Sequence, residues 1–237
     1  MTDFFSNLRV RVVPWTISAA AFGYLISLGG LILISLILVS LGVLDVGSSQ
    51  QDTTVTLLLS ALLAILMLGV SWYFGVSKYR SSISMLGFAK PSGRYPYALA
   101  LAALGLSLAF AAVYGLVVQE LDIEALKPPE LPEVFVGEGG NKVLAILVLA
   151  IIGPLGEEVL FRGLIFGALA KQMKVIPAIA TTGALFAITH FDVAVFIPLA
   201  VTGMMLTWLY ARTGSIWPPF AAHFGQNLIA VWVAFYR

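Results

Sequence analysis

The sequence predicts an all-α fold, a polytopic membrane helix bundle of about seven (six to eight) transmembrane helices with a four-helix core in the C-terminal half. Three observations point there. Of the 237 residues, 60% are hydrophobic and only 11% are charged, whereas a soluble domain carries about 45–50% apolar and about 25% charged residues. The mean hydropathy is +0.99, more oil than a soluble domain can hide. Apolar runs long enough to cross the hydrocarbon layer, about 20 residues as a helix, recur along the chain with the charges gathered between them.

The first run, 17–41, follows Arg9 and Arg11. It continues to Leu44 without a small-residue cut site after a short apolar core, so it reads as an uncleaved signal anchor. Further runs occupy 54–76, 97–119 and 142–170, then a short one at 175–190, then 193–211 and 215–236. Short links join the last four, which makes them neighbours. Lys78, Arg80, Lys90, Arg94, Lys171, Lys174 and Arg212 mark cytoplasmic loops, because positive charge stays inside. Asp45, Asp52 and the acidic stretch from Glu120 to Glu138 fall on the other side. The N-terminus is then cytoplasmic and the C-terminus outside. Residues 127–132, Lys-Pro-Pro-Glu-Leu-Pro, cannot form regular helix, so 120–141 is a solvated outer loop or a lid. There is no cysteine, hence no disulfide or thiolate site, and the net charge of +1 shows no nucleic-acid-binding patch.

Ionisable side chains inside oily segments are expensive and mark functional sites. Glu157, Glu158 and Arg162 stand in Gly-Pro-Leu-Gly-Glu-Glu-Val-Leu-Phe-Arg-Gly, residues 153–163. Glu158 and Arg162 share a helix face and can pair. Glu157 lies about 100° around the axis, free to face a cavity as a base. Gly153, Pro154 and Gly156 are expected to kink or open this helix. The two histidines lie in later segments. His190 ends the short run, with Phe186 one turn below and Asp192 two residues on, able to orient the ring or stay at the surface. His223 and Asn227 share a face of the last helix and could clamp a developing oxyanion or bind a metal with a carboxylate from elsewhere. Each group taken alone could equally be interhelical glue.

The ordered set Glu-Glu-x-x-x-Arg, Phe-x-x-x-His and His-x-x-x-Asn, each in a separate apolar segment, resembles the CAAX-processing and bacteriocin-immunity (CPBP, Abi) family of intramembrane proteases. Residues 212–219, Arg-Thr-Gly-Ser-Ile-Trp-Pro-Pro, resemble that family's lead-in to its last motif. The resemblance covers about residues 140–230. It implies two parts: 1–139, N-terminal membrane helices and the acidic loop, and 140–237, a four-helix intramembrane protease core in a prokaryotic plasma membrane.

The resemblance further implies hydrolysis of a peptide bond in a membrane-associated or lipidated protein or peptide. Glu157 and His190 would activate water, His223 and Asn227 would stabilise the oxyanion, and Glu158, Arg162 and Phe186 would support them. The family alternative is a divalent metal, zinc, held by Glu157, His190 and His223. From other classes, an ion- or proton-coupled carrier and a non-catalytic immunity or scaffold protein also use buried polar groups; the absence of two similar halves counts against a carrier. Counting rise per residue places His190 farther toward the outside than Glu157, so the short helix must compensate if the residues are to meet.

Overall fold

The computed structural model describes residues 8, 10–44, 53–127 and 142–236. Arg9, Asp45, Asp52 and most of the acidic stretch read as a loop or lid lie outside them.

The described residues form helices joined by short turns: α1 (Ile17–Ser40), α2 (Thr54–Ser77), α3 (Pro96–Glu120), α4 (Lys142–Gln172), α5 (Val175–Ile188), α6 (Val193–Thr213) and α7 (Trp217–Tyr236). Among the described residues five of them, α1 to α4 and α6, are long and apolar enough to cross a membrane. This is fewer than the six to eight expected. Helix α5 has 14 residues, about 21 Å at about 1.5 Å per residue, against a hydrocarbon layer of about 30 Å. Helix α7 has the length, but His223, Gln226 and Asn227 interrupt its apolar run.

Local chemistry sets the helix ends. The Thr16 side chain accepts from the Ala19 N–H to start α1, and Asp192 Oδ1 accepts from the Ala194 N–H at 2.8 Å to start α6. Gly214, at φ 64°, ends α6 in the left-handed conformation, with its N–H on the Tyr210 carbonyl.

Helix α4 is the axis of the bundle. Every residue from Glu158 to Phe166 is buried, the charged Glu158 and Arg162 included. Trp15, just before α1, donates its indole N–H to the Leu164 carbonyl at 2.9 Å. Against α2, a Cβ added at Gly156 would lie 2.8 Å from the Ala64 carbonyl oxygen. The turn Ile83–Leu86 tucks beneath α4, and a Cβ at Gly163 would lie 2.7 Å from the Leu86 carbonyl oxygen. Phe161 meets Phe186 of α5 edge to face, centroids 5.4 Å apart. Helix α3 packs on α6 and α7 instead.

Around Gly153, Pro154 and Gly156 helix α4 opens, one of the two expected outcomes, without ending. The helix stays continuous and widens into i→i+5 bonding over Ile146–Ile152 and Glu158–Phe166. The Gly153 N–H donates to the Val148 carbonyl, five residues back. Pro154, next in that register, has no N–H to offer Leu149.

Helices α5 and α6 approach backbone to backbone. A Cβ at Gly203 would lie 2.9 Å from Gly183 Cα, and one at Gly183 would lie 2.7 Å from the Ala200 carbonyl oxygen. Lipid tails give apolar helices no reason to associate, so such close approach of small residues supplies packing contact instead. Gly183→Ala is expected to cost about 1–3 kcal/mol by overpacking, read as a lower unfolding temperature in detergent. Gly105→Ala, with nothing within 4 Å of its added Cβ, should be neutral; equal effects of the two would contradict this packing.

Candidate active site

The site is built on α4, whose widened register carries Glu157 and Glu158. Arg162, one turn on, donates from Nη1 to Glu158 Oε1 at 3.0 Å, and both side chains are fully buried. Arg162 Nη2 donates to the Gly203 carbonyl of α6 at 3.3 Å. The guanidinium also sits 4.8 Å from the Phe186 ring centroid, a cation–π contact strengthened by the absence of water. Burying two charges is costly unless they are paired and hydrogen-bonded; here the guanidinium gains a carboxylate, a carbonyl and a ring face.

Glu158 does more than pair with Arg162. His223 Nδ1 of α7 lies 2.9 Å from Glu158 Oε1. A carboxylate accepts, so Nδ1 carries the proton and donates. That turns Nε2 toward Glu157, 3.6 Å from its Oε2. Glu157 is less buried, with a quarter of its side chain accessible. The two adjacent carboxylates therefore hold opposite edges of one imidazole, one inside the protein and one at a cavity.

That cavity, about 450 Å³, is lined by Glu157, His190, Asn227 and Gln226 together with the apolar side chains of α2, α4 and α7. His190 lies just beyond the end of α5, where the short helix stops and presents it to the same space as Glu157. Its Nδ1 is 3.0 Å from the Phe186 carbonyl oxygen. A carbonyl can only accept, which places the proton on Nδ1 and leaves Nε2 as the basic edge. Phe186 packs against both imidazoles, with centroids 5.0 Å from His190 and 5.8 Å from His223. Asp192 does not orient His190; it caps α6. Asn227 donates from Nδ2 to the Leu149 carbonyl at 2.8 Å, the carbonyl that Pro154 cannot serve.

Some members of this arrangement have no motif. Gln226 Oε1 is 3.2 Å from Ser107 Oγ of α3, and Ser60 joins Gln226 on the cavity wall. Only the neighbourhood of Gln226 to Asn227 could have suggested it. The Gly203 carbonyl, which also accepts from Thr207 Oγ1 at 2.7 Å, leaves no trace in side-chain spacing.

Zinc is bound by four ligands at about 2.0–2.3 Å, at least three of them from protein in catalytic sites. Among the described residues no group of three or more His, Asp or Glu side chains is close enough to hold a metal ion. In each histidine Nδ1 is held by an oxygen acceptor and Nε2 is left, an arrangement that serves a metal-ligating imidazole as well as a metal-free base, so Glu157, His190 and His223 are the residues that would hold a zinc ion.

Residues 139–229 match the family model described as Type II CAAX prenyl endopeptidase Rce1-like. This segment is homologous to the CAAX-processing/Abi intramembrane proteases. The matched residues include Glu157, Glu158, Arg162, Phe186, His190, His223 and Asn227. The chain is 38% identical over 88 residues to "Putative membrane peptidase YdiL" of Bacillus subtilis (strain 168). It is 33% identical over 82 residues to "UPF0177 protein YxdF" of Lactococcus lactis subsp. lactis (strain IL1403). These matches cover 37% and 34% of this chain and 36% and 45% of the two relatives, so the chain spans well under two thirds of either. No solved structure matches it.

Arg162→Met would leave Glu158 charged and buried without its main partner. The expected loss is about 3–5 kcal/mol, seen as a large drop in unfolding temperature. Adding Glu158→Gln removes the stranded charge while keeping an acceptor for His223, and should recover most of that loss. A double variant as unstable as the single one would show that the pair is not what Arg162 contributes.

Proposed function

We propose that the protein is an intramembrane endopeptidase that hydrolyses a peptide bond of a membrane-associated or lipidated protein or peptide. The observation that carries this reading is the meeting of Glu157, His190 and Asn227 on one cavity, with His223 Nε2 3.6 Å from Glu157. The homology of residues 139–229 supports it. Apart from Ser60 and Gln226 the rest of the cavity wall is mostly apolar, with Leu63, Met67, Leu199 and Val231, which suits a membrane-embedded or lipid-bearing substrate.

In this reading Glu157, assisted by Nε2 of His190, takes a proton from water as the water oxygen attacks the scissile carbonyl carbon. The negative charge that forms on the carbonyl oxygen is met by His223, as imidazolium donating from Nε2, and by the second Nδ2–H of Asn227. Glu158 holds His223 and supports its charge, while Arg162 and Phe186 hold Glu158 and both rings. When the C–N bond breaks, the proton on Glu157 passes to the leaving amine. Products are a carboxylic acid and an amine, the acid's proton then passing to the amine to leave a carboxylate and an ammonium, and Glu157 is restored.

About seven helices associate with a prokaryotic plasma membrane, with α5 and α7 completing the five long spans. The N-terminus is cytoplasmic and the C-terminus outside. Residues 1–139 support a protease core at 140–237.

Glu157→Gln is expected to fold normally but to lose about 10²–10⁴-fold in cleavage, the contribution of a positioned acid–base group. Comparative proteomics of membranes holding wild type or the variant should reveal an uncleaved substrate accumulating in the latter. If substrate levels match and ion flux falls instead, the protein is a carrier; if neither changes, the polar core is a scaffold. Cleavage is also expected to persist in a metal chelator. Loss under chelation with recovery on adding zinc would reassign Glu157, His190 and His223 as ligands.

A further inference from the structure

A second polar cavity lies at the opposite side of the bundle from Asp192 and the acidic end of α3. It has about 260 Å³ and is lined by Val10, Arg11, Lys90, Ser92, Thr213 and Gly214. Three chain segments distant in sequence build it: the lead-in to α1, the turn before α3 and the end of α6. Arg11 Nη2 donates to the Gly214 carbonyl at 2.6 Å. The Ser92 N–H and Oγ–H both donate to the Thr213 carbonyl, at 2.9 and 2.8 Å. The terminal carbonyls of α6 thus have their donors. The Arg11 Nε is buried and has no hydrogen-bond partner.

The surrounding charge has one sign. Among the described residues the carboxylates are Glu120, Asp122, Glu124 and Asp192 at the other end of the helices, and Glu157 and Glu158 in the site. None forms an ion pair with Arg11 or Lys90 among the described contacts. Close by, Phe88 and Trp217 pack edge to face with centroids 5.8 Å apart. Tryptophan gathers at the level of lipid headgroups, so the cavity sits where headgroups are.

We propose that this cavity binds a phosphate group, presented by an anionic phospholipid. The Arg11 guanidinium and the Lys90 ammonium, two cations around one small polar space, form a phosphate cradle. The volume is below that of sites for drug-sized ligands, about 300–1,000 Å³, and suits a headgroup whose acyl chains remain in the bilayer. Positive charge at a membrane surface draws anionic lipid generally; the placing of Arg11 and Lys90 by separate chain segments on one small cavity makes this a site rather than a field. Because Arg11 and Ser92 also tie the end of α6 to the chain ahead of α1 and α3, a bound phosphate would fasten the two halves of the bundle together.

The test is thermal unfolding of the full chain in a neutral detergent, titrated with short-chain phosphatidylglycerol, short-chain phosphatidylcholine or inorganic phosphate. Phosphatidylglycerol is expected to raise the unfolding temperature saturably and phosphatidylcholine not to. Lys90→Gln should raise the half-saturating concentration about fivefold, the effect of one basic residue near anionic lipid, as should Arg11→Lys, which keeps the charge and one donor but loses the fork. Lys174→Gln, outside the cavity, should leave the titration unchanged. Saturation by inorganic phosphate at the same concentration would overturn the lipid source and leave a free anion site. No saturable response, or an equal loss from Lys174→Gln, would overturn the site. Neither Lys90 nor Arg11 belongs to the proposed catalytic machinery, so the outcome is independent of cleavage.

Discussion

A wholly buried ion pair governs this bundle. Glu158 and Arg162 could not stay charged in an oily interior unless each found partners, and the partners they find lie on other helices. Arg162 reaches the Gly203 carbonyl of α6 and the face of Phe186 on α5. Glu158 reaches His223 of α7. Sliding any of these helices against α4 would strand a charge, so the pair sets their register. The same requirement aims His223, because an imidazole anchored through Nδ1 can offer only Nε2, and Glu157 is what Nε2 meets. Glu157 and Glu158 are consecutive residues on one helix, yet they face opposite edges of one ring.

Such contacts need backbones close together. The glycines at 156, 163, 183 and 203 remove side chains where a Cβ would press against a neighbouring helix or turn. In a bilayer this closeness has no hydrophobic drive behind it and must come from dispersion and hydrogen bonds. The wide register of α4 belongs to the same economy of backbone groups. A carbonyl that loses its helical donor at Pro154 is left beside the cavity, and the Asn227 amide fills the gap. Asn227 is thereby fixed to α4 while one of its N–H groups remains for the cavity.

Much of this was readable as spacing. The i, i+4 relation of Glu158 and Arg162 corresponds to a 3.0 Å ion pair, and the oily composition corresponds to helices with exposed apolar faces. Other parts were hidden for physical reasons. The Glu158–His223 bond joins residues 65 apart in sequence, and no local rule reports such a contact. The Gly203 and Leu149 carbonyls are backbone groups that every residue carries. Gly-Pro-Leu-Gly signals disturbance of a helix, but whether the chain bends or widens depends on neighbours that occupy or leave the space. Asp192 illustrates the reverse error: near in sequence to His190, it is claimed by the first turn of α6.

The sequence by itself determined that this chain is a helical membrane protein, because composition and run length decide which solvent a segment tolerates. It also determined which residues were out of place there, since a carboxylate, a guanidinium or an imidazole in lipid must be explained. Only the tertiary structure decided which edge of each imidazole is committed, which carboxylate is buried and which reaches the cavity, and that α5 ends where His190 can share space with Glu157. Those outcomes depend on hydrogen bonds and on close backbone contacts between helices. Their energies fall off within a few ångströms, and no pattern along a single strand of sequence records distances between helices.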